Sequence, residues 1–169
     1  MHLHKYERIW LIFGISSLVL FLVVLGVGAF YKGTQPPSHL ATVDPTKVEE
    51  HEAFREENLG LRKVGENDYI VSVIASAFNY NFGKDDEGNT IRKIEIPVGS
   101  NVLFQATTTD VIHGFQLAGT NVNMMVEPGY INSLKTTFKK TGTYTLICNE
   151  YCGTGHHLMA FEVEVIDNE

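Results

Sequence analysis

The 169-residue sequence is poor in basic residues, with 13 lysines and arginines against 20 aspartates and glutamates and a formal net charge of −7. It lacks the basic excess that is typical of nucleic-acid-binding domains, and we therefore set that class of partner aside. Its only cysteines are Cys148 and Cys152, which allow one intramolecular disulfide at most. A second long apolar run is also missing, so the length suits one globular domain with a single membrane segment.

The one long apolar run extends from Ile9 to Tyr31 and contains no charged residue. As a helix it would be about 35 Å long, which is enough to cross a hydrocarbon core of about 30 Å. Trp10 and Tyr31 lie at its two ends, where aromatic side chains favour the membrane interface. A cleaved signal peptide is the alternative, but its apolar region is usually about 7–15 residues and no clear A-x-A site follows. We therefore predict a retained, single-pass anchor over residues 1–32.

The basic residues around this run predict its orientation in the cell membrane. Lys5 and Arg8 precede it, whereas Lys32 follows it. Because cytoplasmic flanks carry an excess of lysine and arginine, we expect the N-terminus in the cytoplasm and the remaining chain on the extracytoplasmic side.

Residues 33–67 are predicted to form a polar linker that contains a short helix. Asp44 followed by Pro45 is typical of an N-cap and a first helical position. We expect this helix to pass through residues 48–58, whose sequence is VEEHEAFREEN.

Residues 68–169 are rich in short runs of β-branched and aromatic residues. In MAFEVEVI, the apolar side chains of Phe161, Val163 and Val165 alternate with Glu162 and Glu164, which is the pattern of a half-buried strand. Similar runs read YIVSVIASAF, NVLFQATTT, YINSLKTTF and GTYTLIC. Six to nine such strands, separated by turn residues, predict an all-β sandwich.

The stretch CNEYCGTGHHLM, from Cys148 to Met159, concentrates sulfur and imidazole in one loop. Two cysteines outside the cytoplasm suggest a disulfide, but a disulfide explains neither His156 nor Met159. Thiolate, imidazole and thioether form a soft ligand set that favours copper, whereas structural zinc sites have other spacings. A blue-copper centre needs only one cysteine. The second thiolate would allow the pair to bridge two copper ions.

A second imidazole should come from another loop, and VIHGF offers His113, 35 residues before Cys148. Within the cysteine loop, His157 is the alternative to His156. Asp110 lies three residues before His113 and is a candidate hydrogen-bond partner of the site, although a turn aspartate is an equally good interpretation.

These two stretches together resemble the dinuclear CuA site of cytochrome c oxidase subunit II. The resemblance covers nearly the whole chain, and the single anchor helix is similar to the short B-family of haem-copper oxidases. It implies a cupredoxin-like Greek-key β-sandwich for the domain over residues 68–169.

The resemblance implies two copper ions with bridging thiolates, one histidine for each copper, a weak axial thioether and one backbone carbonyl. The residues at these positions are Cys148, Cys152, His113, His156, Met159 and Glu150. The side chain of Glu150 also matches a glutamate that helps to bind magnesium at the boundary with subunit I. A solvated carboxylate is the alternative for that side chain.

The function implied is to accept single electrons from cytochrome c and pass them to haem in subunit I, which reduces oxygen to water. Subunit I, cytochrome c and membrane lipid are the expected partners. Phe78 or Tyr80 would lie near the surface where electrons arrive, although aromatics at this spacing also form packed strand faces. A membrane-tethered extracytoplasmic copper carrier and a disulfide-stabilised structural domain are the alternative functions.

Overall fold

The computed structural model of the chain describes residues 3–31 and 36–167. Lys32, one of the residues that predict the orientation of the anchor, lies outside the described residues. The chain divides into two compact units, residues 1–35 and residues 36–169.

The first unit is an apolar helix, as predicted. Helix α1, Lys5–Gly26, continues into one π-helical stretch, Val27–Tyr31. Its N-terminus is closed by a capping box, in which Glu7 accepts a hydrogen bond from the backbone N–H of His4 at 2.9 Å. Lys5–Tyr31 is long and apolar enough to cross a membrane.

The second unit is an all-β sandwich, which confirms the predicted fold class. Its strands are β1 Ser38–Thr42, β2 Gly60–Lys63, β3 Asp68–Ser76, β4 Asn79–Asn81, β5 Lys93–Pro97, β6 Asn101–Thr108, β7 His113–Leu117, β8 Asn123–Val126, β9 Tyr130–Thr137, β10 Gly142–Ile147 and β11 Ala160–Ile166. One sheet has the order β1-β9-β6-β3-β2, with β4 paired to β3, and the other has the order β5-β11-β10-β7-β8. The β3–β6 and β5–β11 pairs are parallel and the other pairs are antiparallel.

The main hydrophobic core lies between the two sheets. Val71 and Phe104 of one sheet and Phe115 and Val163 of the other belong to the same buried cluster. In β11 Phe161, Val163 and Val165 are buried and the alternating glutamates are not, as the sequence pattern predicts. Burial of this apolar surface stabilises the sandwich by about 25 cal/mol for each Å².

The predicted short helix is wrong. Residues 48–58 form three separate 3-10 turns, Val48–Glu50, Glu52–Phe54 and Glu56–Asn58. Val48 and Phe54 are both buried in a second small core. Six residues apart at about 100° per residue, they would point about 120° apart on a continuous α-helix, whereas the separate turns direct both into the same core.

The segment predicted as a linker also contributes strands to the sandwich. β1 pairs with β9, and β2 pairs with β3. Asp44 caps a turn between them, where its carboxylate accepts from the backbone N–H of Thr46 at 2.9 Å. The sandwich unit therefore includes residues from position 36 onward.

Candidate metal centre

Neighbouring strands bring the two predicted halves of the centre together. His113 is the first residue of β7, and Cys148 follows the last residue of β10. β7 and β10 are paired, with Ile147 opposite Gln116. The cysteine loop closes on itself, because the backbone N–H of Cys148 donates to the carbonyl of Met159 at 3.2 Å. Residues 35 positions apart in sequence therefore meet at one end of the sandwich.

Two free thiols lie at the centre of this cluster. The Sγ atoms of Cys148 and Cys152 are 3.8 Å apart and both residues are buried. A disulfide bond is about 2.05 Å long, so the sulfurs are not bonded to each other. The separation is shorter than two metal–thiolate bonds of about 2.3 Å each. Both sulfurs can therefore bind the same ion.

The other predicted ligands surround these sulfurs. Nδ1 of His113 lies 4.0 Å from Sγ of Cys148, and the carbonyl oxygen of Glu150 lies 3.1 Å from the same sulfur. The ligand atoms of His113 and the two cysteines all lie within 4.8 Å of one another. His113 is completely buried.

Cys152 has the remaining two ligands as its neighbours. Nδ1 of His156 is 3.6 Å from its Sγ, and Sδ of Met159 is 3.8 Å from it. Met159 is buried, whereas His157 is exposed. The structure thus brings all six predicted ligands together and places His156, rather than its neighbour, beside the sulfur.

Electrostatics of the thiols favour a cation at this position. Burial raises the pKa of Cys152, and the adjacent Cys148 raises it further, whereas the backbone N–H of Phe78 acts in the opposite direction. Two neighbouring thiolates without a cation would repel each other in a poorly solvated place. A metal ion removes that cost and displaces the thiol protons.

Asp110 fixes the orientation of the His113 ring. Its Oδ1 lies 2.8 Å from Nε2 of His113. An ionised carboxylate only accepts hydrogen bonds, so Nε2 carries the proton and Nδ1 presents its lone pair to the thiols. Burial alone would raise the pKa of Asp110, but hydrogen bonds from His113, Val111, Ala77 and Thr108 hold it below its usual value.

Phe78 lies directly against the cysteine loop. Its φ of 68° is uncommon for a residue with a side chain, and such strain often marks a functional site. A Cβ added at Gly155 would lie 2.5 Å from its ring, and one added at Gly153 would lie 3.2 Å from it. The ring therefore packs on the glycine backbone between Cys152 and His156. It remains 39% exposed.

Tyr80, the other predicted aromatic at the electron-accepting surface, lies in the core. It is 4% exposed, and its ring makes an edge contact with Phe115. The alternation of β4 turns this side chain inward, between Asn79 and Asn81. Tyr80 therefore fits the alternative interpretation, an aromatic in a packed strand face, and of the two aromatics only Phe78 is exposed.

The sequence reasoning missed Gly114, the residue after His113. Its backbone N–H donates to Sγ of Cys148 at 3.4 Å. A Cβ at this position would lie 2.5 Å from the backbone nitrogen of Asn149 and 2.8 Å from that of Glu150. Only glycine allows the two segments to approach so closely. The glycine of VIHGF was the signal that could have indicated this contact.

The side chain of Glu150 is half-buried. Among residues 3–31 and 36–167, the only cluster of three or more histidine, cysteine or acidic ligand groups is His113, Cys148 and Cys152. The described residues therefore provide no cluster of ligand groups around the Glu150 side chain that could bind magnesium.

Comparison with known proteins agrees with this arrangement. The family model described as the periplasmic domain of cytochrome c oxidase subunit II matches residues 67–166. The chain belongs to the cytochrome c oxidase subunit II family.

Relatives of this family extend over most of the chain. One cytochrome c oxidase subunit 2 of Thermus thermophilus is 36% identical over 91% of this chain and 88% of its own length. Another subunit 2 from Thermus thermophilus is 39% identical over 75% of this chain and 87% of its own length. One chain of a haem-copper terminal oxidase dimer solved by cryo-electron microscopy superimposes with a TM-score of 0.75 and 29% identity, covering 96% of this chain and 100% of that one.

As a subunit II, this protein is a component of a haem-copper oxidase, which implies a subunit I. Its apolar helix and its extracytoplasmic, cupredoxin-like domain make it a membrane-anchored protein. The family also implies copper, for which the cluster of His113, Cys148 and Cys152 is a suitable site.

Proposed function

We propose that this subunit accepts single electrons from cytochrome c at a dinuclear copper centre and passes them to haem in subunit I. The observation that carries the proposal is the pair of free, buried sulfurs 3.8 Å apart, each with its own histidine Nδ1 beside it. A single-copper site would need only one of the two thiolates.

The donor set fits copper. Cys148 and Cys152 would bridge two ions, and His113 and His156 would each supply one imidazole nitrogen. Met159 would be a weak axial ligand, and the backbone carbonyl of Glu150 would complete the set. Thiolate, imidazole and thioether are ligands that copper prefers. The bound pair would take up one electron and release it, with the charge change shared between two ions.

The contacts around the centre restrict how far its ligands can move when an electron arrives. Both cysteines, His113 and Met159 are less than 10% exposed, so little water reaches the ligands. His113 is fixed by Asp110, and the cysteine loop is held by its closing hydrogen bond and by Phe78. Such surrounding contacts orient metal ligands and adjust the properties of the metal.

We place the contact with cytochrome c at the exposed side of this centre. Phe78 is an aromatic that is both exposed and packed on the loop. Residues 33–169 carry 10 basic and 19 acidic side chains, which suits a basic donor. Lys5 and Arg8, in the first turn of α1 and before its apolar run, favour a cytoplasmic N-terminus and an extracytoplasmic copper domain.

A magnesium ion at Glu150 would need ligands from subunit I. The residues 3–31 and 36–167 provide no carboxylate cluster there, and Glu150 alone would be a single oxygen ligand. Mg²⁺ is usually held by several oxygen ligands, including waters.

Copper delivery is the alternative function, and burial argues against it. A carrier needs exposed ligands from which a recipient can take the metal, whereas Met159 is 2% exposed and His113 is completely buried. Ligands from β7 and from the cysteine loop also enclose the site from two sides.

The test is repeated redox cycling of the full chain in detergent. The copper-loaded chain is oxidised with ferricyanide and then reduced by the reduced form of a basic mitochondrial cytochrome c. A copper(I) chelator is present throughout. We expect the cytochrome to be oxidised in each cycle while the copper stays with the chain. Copper loss to the chelator in the first cycle, without oxidation of the cytochrome, would favour the carrier.

A further inference from the structure

Tyr80 is a buried phenol whose hydroxyl points to the metal centre. Its O–H donates to the backbone carbonyl of Gly114 at 2.5 Å. Buried tyrosines usually find a hydrogen-bond partner for the hydroxyl. Here the partner is Gly114, which lies between His113 and the cysteine loop that holds the other predicted ligands. Gly114 directly follows His113, and its own N–H donates to Sγ of Cys148 at 3.4 Å.

The thiols also lie close enough to this phenol to affect its pKa. Burial raises the pKa of Tyr80 strongly, and the neighbouring Cys148 raises it further. The carbonyl of Gly114 can only accept, so the hydroxyl is the donor in this hydrogen bond. The ring itself is fixed by its edge contact with Phe115, whose centroid lies 5.7 Å away. The fixed hydroxyl of Tyr80 thus holds Gly114, whose N–H donates to the sulfur of Cys148.

The hydrogen bond to Cys148 is expected to depend on the oxidation state of the site. An N–H that points at a thiolate stabilises negative charge on the sulfur. Reduction adds one negative charge to the centre, so the N–H favours the reduced state over the oxidised one. Groups around metal ligands commonly adjust metal properties in this way.

We propose that Tyr80 is a positioning residue that raises the reduction potential of the copper centre, by holding Gly114 so that its N–H is directed at the sulfur of Cys148. The inference rests on the proposed function, because it requires copper at this thiolate. It replaces the role at the electron-accepting surface that the sequence had suggested for Tyr80.

Tyr80→Phe tests the proposal, since it removes the hydroxyl and keeps the ring in the core. Tyr144→Phe is a matched control: its hydroxyl also donates to a backbone carbonyl, that of Lys140 at 3.1 Å, and it packs on Phe138. Each variant is prepared as the full chain in detergent, loaded with copper and titrated by spectroelectrochemistry. The thiolate-to-copper absorption bands and the unfolding temperature are recorded on the same samples.

We expect Tyr80→Phe to lower the reduced-to-oxidised ratio at a fixed potential about threefold, which is about 28 mV for one electron. Its absorption bands should shift as well, and Tyr144→Phe should leave both unchanged. If Tyr80→Phe only lowers the unfolding temperature and keeps the wild-type potential and bands, the hydroxyl is merely structural and the proposal is overturned.

The same experiment separates this inference from the proposed function. A wild-type chain that binds a single copper would refute the dinuclear centre, while the comparison of Tyr80→Phe with Tyr144→Phe on that copper would still decide the role of Tyr80. If the wild-type chain binds no copper, both proposals are overturned.

Discussion

Gly114→Ala should disrupt the metal centre although no ligand is changed. The new Cβ would lie 2.5 Å from the backbone nitrogen of Asn149 and 2.8 Å from that of Glu150. Ordinary contacts are about 3.5 Å or more, so one segment has to move by about 1 Å. Side chains can rotate away from such a contact, but backbone nitrogens cannot.

The displaced segment carries the first cysteine and the carbonyl of Glu150, so copper binding should suffer together with stability. Overpacking of this kind typically costs about 1–3 kcal/mol. Each kcal/mol lowers the unfolding temperature of a domain by about 2–8 °C. Thermal unfolding of the copper-free chain and the copper content after loading are the two measurements.

Gly65→Ala is the control, because its Cβ would come no closer than 3.1 Å to any atom, and its nearest neighbours belong to the side chain of Asp68 and not to the backbone. We expect Gly65→Ala to keep both the copper content and the unfolding temperature close to wild type. If Gly114→Ala behaves in the same way, the close approach of β7 and the cysteine loop does not hold the centre together, and the reasoning is refuted.

Three further predictions concern single side chains. Asp110→Ala should weaken copper binding about 10- to 100-fold by releasing the ring of His113; competition with a chelator measures this, and unchanged affinity would contradict the role of the carboxylate. His156→Ala should abolish the electron paramagnetic resonance spectrum of one electron shared by two copper ions, whereas the adjacent His157→Ala should not. Equal spectra of the two variants would reject His156 as a ligand. Phe54→Ala should cost about 3–5 kcal/mol of unfolding free energy by emptying the second core; denaturant unfolding tests this, and a cost below about 1 kcal/mol would argue against that core.

Local patterns predicted the strands well where one strand face is buried against the opposite sheet. The alternation in β11 is visible in five consecutive residues, positions 161–165, and needs no distant partner to be recognised. Residues 48–58 were different. Asp44 and Pro45 suggested the start of a helix, but Val48 and Phe54 pack with Ile74 and Ile131, which are distant in sequence. Tertiary burial thus overrode the local preference.

The metal centre was predictable because four of its five side-chain ligands lie within twelve residues and have an unusual chemistry. His113 could be chosen only because the site needed a second imidazole besides that of His156, since the sequence does not show that β7 pairs with β10. Phe78 and Tyr80 were not distinguished. The positive φ of Phe78 interrupts the strand alternation, so which of the two aromatics turns inward could not be deduced from period two.

The central claim is that two copper ions share one electron between Cys148 and Cys152. The most direct test is to load the full chain with copper, count copper per chain and record the electron paramagnetic resonance spectrum of the oxidised form. We predict two coppers per chain and a hyperfine pattern of one unpaired electron shared by two equivalent copper nuclei. One copper with the hyperfine pattern of a single nucleus, or no copper and a disulfide between the two cysteines, would contradict the account.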